Sequence, residues 1–444
     1  MLGNRPSPRG QSARLLTALR RRLHGSSRPD PRRSERFSEK DIIMLTQSKP
    51  TEAASDPMEA ASALVLELRE RTREINELGR LPEDIVQKFD QAGLFSLTIP
   101  HQYGGSEVDW RTYMDVLVEI GRGNGSASWV LAIINTVNWM VAAMFAPSVA
   151  ETVFQSPGGV RTAGVQTPRK YKIRKVEGGI YIEYGLWPFN SGVYHANWDA
   201  LGVPSFDAEG NEIALDCLAL LPADKVTRLN DWNVTAMRGT GSTTVTVENL
   251  FVPDEYIASI SDINREIWPS TQLADQPSYR SSFLPVFTVT LGFPVLGMGY
   301  AALELFIEQM KTKKILYSRY DWQKDAPVTH LQLGEASAKL DACKYLLRNV
   351  ADEIQAAAER GHPLPSGDRA RLKRDVGFSN RMVCEAVDLL ATALGASLGA
   401  ASNPFTSVWQ DIRVGHLHAF LAPNTNLETY GRHLVGLDAG HPFI

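Results

Sequence analysis

Cysteine is scarce in this chain of 444 residues, and its three copies, Cys217, Cys343 and Cys384, lie far apart. No CxxC pair is present, which argues against a disulfide framework and against a zinc knuckle built from paired cysteines. Isolated cysteines of this kind are typical of a reducing compartment, so the sequence predicts a cytoplasmic protein.

An excess of one charge is also lacking. Lys and Arg total 46 against 50 Asp and Glu, which leaves a net charge of −4. Nothing in this balance indicates nucleic acid or an acidic membrane surface as a partner. Hydrophobic residues make up 43% and charged residues 22%, as in ordinary globular proteins, and the length suggests about three domains.

The signatures of several common enzyme classes are missing. The chain has no GxxxxGK[ST] phosphate loop, no HExxH zinc helix and no GxSxG nucleophile elbow. The glycine-rich segment 121–126 follows a predicted helix rather than a strand, so we interpret it as an interhelical turn. His416 and His418 would point about 200° apart on a regular helix, so they cannot share one ion there. The sequence therefore predicts no metal site.

Residues 1–45 differ from the rest in composition. Ten arginines lie between Arg5 and Arg36, and no acidic residue precedes Asp30. Such a segment is typical of a disordered basic extension or of an organellar transit peptide. We favour the extension, with Met44 as an alternative start, and exclude the segment from the fold prediction.

Two long uncharged stretches, Gly123–Ala150 and Ser281–Leu303, are each long enough to cross a bilayer, which takes roughly 20 apolar residues. They contain Asn135, Asn138 and Pro294, and neither has a Lys/Arg cluster on one side only. We therefore predict two helices buried on all sides inside a helical core, and no membrane span.

The hydrophobic spacing changes twice along the chain. Helical spacing runs through 46–160, short β-branched and aromatic segments with turns between them run through 161–262, and long helical patterns fill 263–444. This order predicts an α+β protein with an N-terminal helical domain, a middle β-sandwich or barrel, and a C-terminal helical bundle.

The segment WPFNSG at 187–192 follows a predicted strand and joins two aromatic side chains to a hydroxyl. Pro188 restricts the residue before it to an extended backbone, so the segment is predicted to form a tight turn at the strand end. Such a turn can pack against a planar cofactor and offer it one hydrogen bond, or it can simply cap a hairpin. The residues alone leave both interpretations open.

Four stretches in fixed order resemble one family over residues 58–438. They resemble the acyl-CoA dehydrogenase superfamily and, more narrowly, the oxygenase component of two-component reduced-flavin monooxygenases, such as hydroxylases of 4-hydroxyphenylacetate and of a phenolic steroid-degradation intermediate. The stretches are LTIP and YGG within 97–105, WPFNSG at 187–192, MRGTGS at 237–242 with Val-Pro at 252–253, and WQD, a later histidine, YGR and LVG within 409–436.

The resemblance implies an acyl-CoA-dehydrogenase-like fold in which the third part is a four-helix bundle. It implies that Trp187, Phe189 and Ser191 line the isoalloxazine ring of a flavin, with the Ser191 hydroxyl near flavin N5. Arg280, at the start of the last helical part, is implied as a binder of the cofactor phosphate.

The resemblance also implies the reaction. Reduced flavin, FMNH2 or FADH2, and O2 would hydroxylate a small aromatic or phenolic substrate through a C4a-hydroperoxyflavin. His418 corresponds to the active-site base, with His416 as the fallback if the alignment shifts by two residues. A histidine suits a phenol because its ordinary pKa of about 6.5 lies near the operating pH.

The implied partners are a separate NAD(P)H:flavin reductase, a small-molecule substrate and three further copies of the chain in a homotetramer.

Departures from the family pattern keep alternatives open: Gln410 replaces an arginine, and Gln-Thr-Pro at 166–168 replaces Thr-Glu-Pro. An acyl-CoA dehydrogenase or oxidase is one alternative, but segment 412–418 has no carboxylate, and such an enzyme would need another base such as Glu428. An N-hydroxylating monooxygenase and a flavin-free scaffold protein of the same fold are the others.

Overall fold

The computed structural model describes residues 56–265, 267–269, 273, 275–362 and 364–440. The predicted basic extension, residues 1–45, lies outside the described residues. Within them helices come first, strands second and helices third, which is the order that the sequence predicts.

The N-terminal part packs its helices around one that has no exposed face. The helices are α1 (Pro57–Glu70), α2 (Thr72–Leu78), α3 (Glu83–Gln91), α4 (Trp110–Gly123), α5 (Gly125–Met144) and α6 (Pro147–Phe154). All 20 residues of α5 are buried. Asn124 begins this helix by accepting a hydrogen bond from the N–H of Ala127 at 3.0 Å.

The two asparagines inside α5 are buried in this core with their side-chain amides hydrogen-bonded. The Asn135 side chain donates to the carbonyl of Leu94 at 2.8 Å and accepts from the N–H of Leu97 at 3.0 Å. Asn138 donates to the carbonyl of Phe95 at 2.9 Å. Each amide therefore satisfies backbone groups of the segment after α3, and burial costs little because the hydrogen bonds are made.

The strands form two four-stranded sheets packed face to face. The sheet orders are β1-β4-β5-β8 and β2-β3-β7-β6, and neighbouring strands are antiparallel except for the parallel pair β1 and β4. The strands are β1 (Thr162–Val165), β2 (Lys170–Val176), β3 (Gly179–Trp187), β4 (Trp198–Phe206), β5 (Glu212–Pro222), β6 (Thr227–Arg228), β7 (Val245–Pro253) and β8 (Ile257–Ser259). Of the two predicted alternatives, the structure has the sandwich.

The last part contains three long helices and two short ones among the described residues, after a single turn of helix, α7 (Ile260–Asn264). They are α8 (Phe283–Met310), α9 (Pro327–Arg360), α10 (Ser366–Leu394), α11 (Pro404–Gly415) and α12 (Pro423–Leu434). All of these helices lie within the range 263–444, for which the sequence predicts long helical patterns.

Three helical segments in the described part of the chain are long and apolar enough to cross a membrane. In α5 the apolar window is 100% buried inside the protein, and in α8 it is 83% buried, which agrees with the predicted core helices. In the third, 366–399, the apolar window is only 39% buried, so much of that window lies on the outside of the single chain.

Helices α4 and α8 cross at a pair of glycines. A Cβ added to Gly297 would lie 2.4 Å from the carbonyl oxygen of Val118 and 2.8 Å from the Cα of Gly121. Any side chain at this crossing would push the two helices apart. The crossing matters for function because α8 also contributes Phe287 to the wall of the cavity described below.

We expect Gly297→Ala to lower the free energy of unfolding by about 1–3 kcal/mol, since it overpacks this crossing. Gly334→Ala in α9 is the matched control, because no atom lies within 4 Å of its added Cβ. That control is expected to raise stability by roughly 0.5–1 kcal/mol through helix propensity. Urea unfolding of both variants measures the contrast, and equal effects would contradict the proposed crossing.

Candidate functional site

A cavity of about 970 Å³ lies where the β-sandwich meets the helices on either side of it. Its residues come from α5, from the sandwich and its loops, from α8, and from the end of α11 and the segment that follows it. Its wall is formed by Trp129, Ile133, Gly164, Val165, Gln166, Thr167, Pro168, Arg169, Pro188, Phe189, Ser191, Leu215, Trp232, Met237, Thr240, Ser242, Phe287, Val414, Gly415, Leu417, His418, Ala419 and Phe420.

The turn after β3 brings two of the predicted residues to this wall. Phe189 adopts a left-handed backbone with φ of 64°, and its side chain is 63% exposed. The Trp232 ring meets it edge to face, with 6.1 Å between ring centroids. An exposed aromatic in a strained conformation is unusual unless something packs against it, and here it borders the cavity.

Ser191 lies two residues further on and is buried at the same wall. The loop 237–243 holds its turn in place, because the N–H of Asn190 donates to the carbonyl of Thr243 at 3.3 Å. The N–H of Gly192 likewise donates to the carbonyl of Thr240 at 3.0 Å. The Ser191 hydroxyl lies 2.7 Å from that of Ser242, so the predicted residue belongs to a larger polar group.

Trp187 is placed elsewhere, which corrects its predicted contact with the flavin ring. Its indole is fully buried between the two sheets and donates from Nε1 to the carbonyl of Gly202 at 2.8 Å. It does not belong to the cavity wall. Because β3 and β4 lie in different sheets, this bond ties the sheets together and supports the turn from behind.

His418 lies on the cavity wall, held between aromatic rings. The Trp129 ring is edge-on to the imidazole at 5.6 Å, and the Phe420 ring is nearly parallel to it at 5.8 Å. The imidazole is partly exposed, but to the cavity. Burial among apolar side chains lowers the pKa of His418 to about 4, so its ring is neutral at neutral pH.

The Phe420 N–H donates to Nδ1 of His418 at 3.3 Å. This bond favours the neutral tautomer that carries its hydrogen on Nε2, because Nδ1 must keep its lone pair to accept. In this tautomer His418 can donate a hydrogen bond from Nε2. It cannot accept a proton at that nitrogen.

His416, the fallback residue, does not belong to the wall. Its Nδ1 lies 3.1 Å from the side-chain nitrogen of Asn380 in α10. The predicted angle of about 200° assumes a regular helix, but α11 ends at Gly415 and the two histidines follow in irregular turns. The helical angle between them therefore does not apply, and only His418 faces the cavity.

Arg280 is likewise not on the cavity wall; its guanidinium lies over the Trp268 ring at 5.6 Å from the centroid. Its role in phosphate binding stays a prediction. Arg169, which the sequence did not single out, is exposed and borders the cavity. Its position next to the Gln-Thr-Pro segment is the signal that could have found it.

Asp411 connects the helical side of the cavity to the sandwich side. Its carboxylate is buried and accepts a hydrogen bond from the N–H of Met237 at 2.5 Å. Met237 has a left-handed backbone with φ of 51° and lies on the wall. Desolvation raises the pKa of Asp411 to about 7, against which the Met237 bond acts weakly.

The wall is mainly apolar and aromatic, and none of its described residues is Asp or Glu. Its buried polar groups are few: the hydroxyls of Ser191, Thr240 and Ser242, beside the partly exposed imidazole of His418. A flat aromatic ring system with a polar edge fits such a wall, and the volume leaves room for a second small molecule. Among the described residues no group of three or more His, Cys, Asp or Glu could hold a metal ion.

Comparison with known proteins identifies the family to which the chain belongs. Family models for the N-terminal and C-terminal domains of acyl-CoA dehydrogenase match residues 58–147 and 289–423, together just over half of the chain. The chain belongs to the acyl-CoA dehydrogenase family. The predicted family and fold are thereby confirmed.

Within the acyl-CoA dehydrogenase family, the chain is similar to oxygenase subunits. It is 31% identical, over 86% of its length and 98% of the relative, to the flavin-dependent monooxygenase oxygenase subunit HsaA of Rhodococcus jostii. The crystal structure of 3-HSA hydroxylase from Rhodococcus sp. RHA1 matches with a TM-score of 0.80 and 29% identity, over 88% of this chain and 99% of that one.

A second solved structure is XiaF from Streptomyces sp., in complex with FADH2 and glycerol. It matches with a TM-score of 0.79 and 29% identity, over 87% of this chain and 96% of that one. These relatives confirm the predicted enzyme class, a flavin-dependent monooxygenase of the two-component type.

We expect Asp411→Asn to change how stability depends on pH. Wild-type Asp411 keeps its proton up to about pH 7 when folded, although the ordinary carboxyl value is 3.8. The folded state therefore binds more protons than the unfolded chain between these values, so the wild type loses stability as pH rises from about 4 to about 7. The variant keeps an oxygen for Met237 and avoids this loss.

Urea midpoints on both sides of this pH window measure the effect. As pH rises through this window, the free energy of unfolding of the variant should increase relative to that of wild type by on the order of 1 kcal/mol or more, since one pKa unit corresponds to about 1.4 kcal/mol. His418 is present in both proteins, so its own titration cancels in the difference. A difference that does not vary with pH would contradict the assignment.

Proposed function

We propose that this chain is the oxygenase component of a two-component system that hydroxylates a small phenolic substrate with reduced flavin and O2. A separate NAD(P)H:flavin reductase would supply the flavin. The observation that carries the proposal is that Ser191 and His418, far apart in the sequence, lie on one apolar cavity whose described wall contains no carboxylate.

Reduced flavin supplies the two electrons with which O2 is divided, so that one oxygen atom enters the substrate and the other leaves as water. The protein's own contribution is to orient the reactants and to exclude water from them. Trp129, Phe287 and Phe420 serve the second purpose, since their rings cover the helical side of the cavity. Phe189 and Trp232 cover the opposite edge.

We assign Ser191 to the polar edge of the flavin ring, near N5, as the resemblance implies. Its hydroxyl is buried at the wall and held by the loop 237–243, so it presents a fixed polar group to whatever occupies the cavity. Arg169 at the rim is a better placed cation than Arg280 for the flavin phosphate. FMN and FAD both carry such a phosphate, and the proposal covers either.

His418 is assigned to the substrate oxygen. The phenolate form of the substrate is the more reactive toward an electrophilic oxygen, and a phenol ionises only near pH 10. The predicted role of His418 is that of a base. With Nδ1 engaged by Phe420, donation from Nε2 to the substrate oxygen would favour the same phenolate by stabilising its charge.

The acyl-CoA dehydrogenase or oxidase alternative lacks support at the site. Such chemistry removes a proton from carbon with a carboxylate base, and the described cavity wall has none. Glu428, the residue considered for that role, is exposed and does not belong to the wall. Asp411 is near, but it is buried behind Met237. An N-hydroxylating variant of the same reaction stays open, because an amine would fit the same wall.

We also propose a homotetramer in the cytoplasm. The support for assembly is apolar surface on the single chain: the apolar window within 366–399 is only 39% buried, and Leu316, Tyr317, Leu331 and Tyr345 are strongly exposed. Patches of this kind are typical of surfaces that another subunit covers.

The proposal is tested by mixing the protein with reduced FAD or FMN, O2 and a panel of small phenols. Hydroxylated product and hydrogen peroxide are both quantified. We expect at least one phenol to yield product with an equivalent fall in peroxide, and Ser191→Ala to release several-fold more peroxide per product. Ser205→Ala, on β4 and away from the wall, is the control. Peroxide alone with every phenol, N-oxidised product from amines included in the panel, or no flavin turnover would contradict the proposal.

We expect His418→Ala to lower hydroxylation at neutral pH by about tenfold or more, within the usual range for loss of an acid–base group. Raising the pH toward about 10, where a phenol ionises unaided, should restore much of it. His418→Gln separates the two roles, because glutamine offers an N–H donor but no base. Substantial activity in this variant supports donation, and activity as low as in His418→Ala supports proton acceptance.

Product formation at several pH values, with His362→Ala as the control, measures these effects. His362 is exposed and lies outside the cavity wall. Hydroxylation by His418→Ala equal to that of wild type at all pH values would remove this histidine from the site.

A further inference from the structure

A row of hydroxyl groups runs along the cavity wall from Ser191 to Thr240. The Ser191 oxygen lies 2.7 Å from that of Ser242, which lies 2.7 Å from that of Thr240. The Thr240 hydroxyl ends the row by donating to the carbonyl oxygen of Met237 at 2.8 Å. All three hydroxyl residues are at most 7% exposed, and all three belong to the cavity wall.

The end of the row fixes its direction. A hydroxyl has one hydrogen, and a carbonyl oxygen can only accept. Thr240 must give its hydrogen to Met237, so Ser242 must donate to Thr240. Ser191 must then donate to Ser242, since the hydrogen of Ser242 is already committed. The Ser191 oxygen is left with lone pairs alone for the cavity, and it is therefore a hydrogen-bond acceptor there.

The backbone around the row keeps this direction from reversing. The carboxylate of Asp411 accepts from the N–H of Met237, and Thr240 donates to the carbonyl of the same residue, so Met237 is held at both ends in its left-handed conformation. At the other end of the row, the Gly192 N–H is bonded to the Thr240 carbonyl. The two segments that carry the hydroxyls thus cannot shift independently.

We propose that this row makes the site select reduced over oxidised flavin, with Ser242 and Thr240 as positioning residues that act through Ser191. Reduced flavin carries a hydrogen on N5, which an acceptor can bind. Oxidised flavin has only a lone pair at N5, which meets the lone pairs of Ser191. The inference rests on the proposed function, in which Ser191 faces N5. For an enzyme that receives flavin from a reductase, this preference favours loading of the reduced form and release of the oxidised form.

The test measures binding rather than turnover. Dissociation constants for oxidised FAD and for anaerobically reduced FAD, and then for the FMN pair, are determined for wild type, Ser242→Ala and Thr240→Val. Ser242→Ala removes the acceptor of the Ser191 hydrogen, and Thr240→Val removes the acceptor of the Ser242 hydrogen. Either change lets Ser191 donate toward the cavity. We expect the preference for reduced flavin to fall by about tenfold in both, mainly through tighter binding of oxidised flavin.

Two control variants distinguish an effect of hydrogen-bond direction from an effect of altered side-chain packing. Thr240→Ser keeps the hydroxyl and should keep the wild-type preference. Thr244→Val makes the same substitution directly after the loop 237–243, but the Thr244 hydroxyl bonds to Asp231 and is not in the row, so the preference should not change. Thermal unfolding checks that each variant is folded, and Thr240→Val decides the question if Ser242→Ala is not.

The outcomes are distinct. An unchanged preference in a folded row variant that binds both flavins overturns this inference and leaves the proposed function in place. A loss of preference in Thr244→Val as large as in Thr240→Val also overturns it, because packing would then be the cause. A wild-type protein that binds neither redox state overturns the proposed function, and this inference with it.

Discussion

The hydrogen bond between the Asp411 carboxylate and the Met237 N–H joins the two halves of the site. Asp411 belongs to α11, immediately before the segment that carries His418, and Met237 begins the loop that holds the Ser191 turn. Burying a carboxylate is unfavourable, as its raised pKa shows. The arrangement makes sense if the position of one wall relative to the other matters more than the stability lost.

The apolar cavity limits where polar groups near it can make their hydrogen bonds. A polar atom in such a place is stabilised only if its hydrogen bonds are made, and here they are made mostly away from the cavity. Ser242 and Thr240 bond to each other and to the backbone, and His418 is engaged on Nδ1 by Phe420. The wall offers a ligand few buried polar groups, among them the oxygen of Ser191 and one nitrogen of His418, which is a sparse and therefore selective set.

The sequence was most informative where a pattern reports local structure. The uncharged stretch that became α5 was predicted as a buried helix, because Asn135 and Asn138 inside it are polar groups that a core can satisfy. The turn after β3 was predicted from Pro188 and its neighbours. The prediction that Trp187 lines the flavin ring was wrong for a physical reason. Side chains alternate between the two faces of a strand, and no local signal showed that the Trp187 side chain points into the sandwich core.

By itself, the sequence determined the order of helices and strands, the family, and the presence of Ser191, Phe189 and His418 in the motifs that mark the site. These follow from spacing along the chain. Only the tertiary structure decided that His418 faces the cavity while His416 turns toward Asn380. It also decided that Arg169 rather than Arg280 borders the cavity, and in which direction the hydroxyl groups of the row donate. Those facts depend on contacts between residues far apart in sequence, and the direction of a hydrogen bond is set by its partners rather than by residue type.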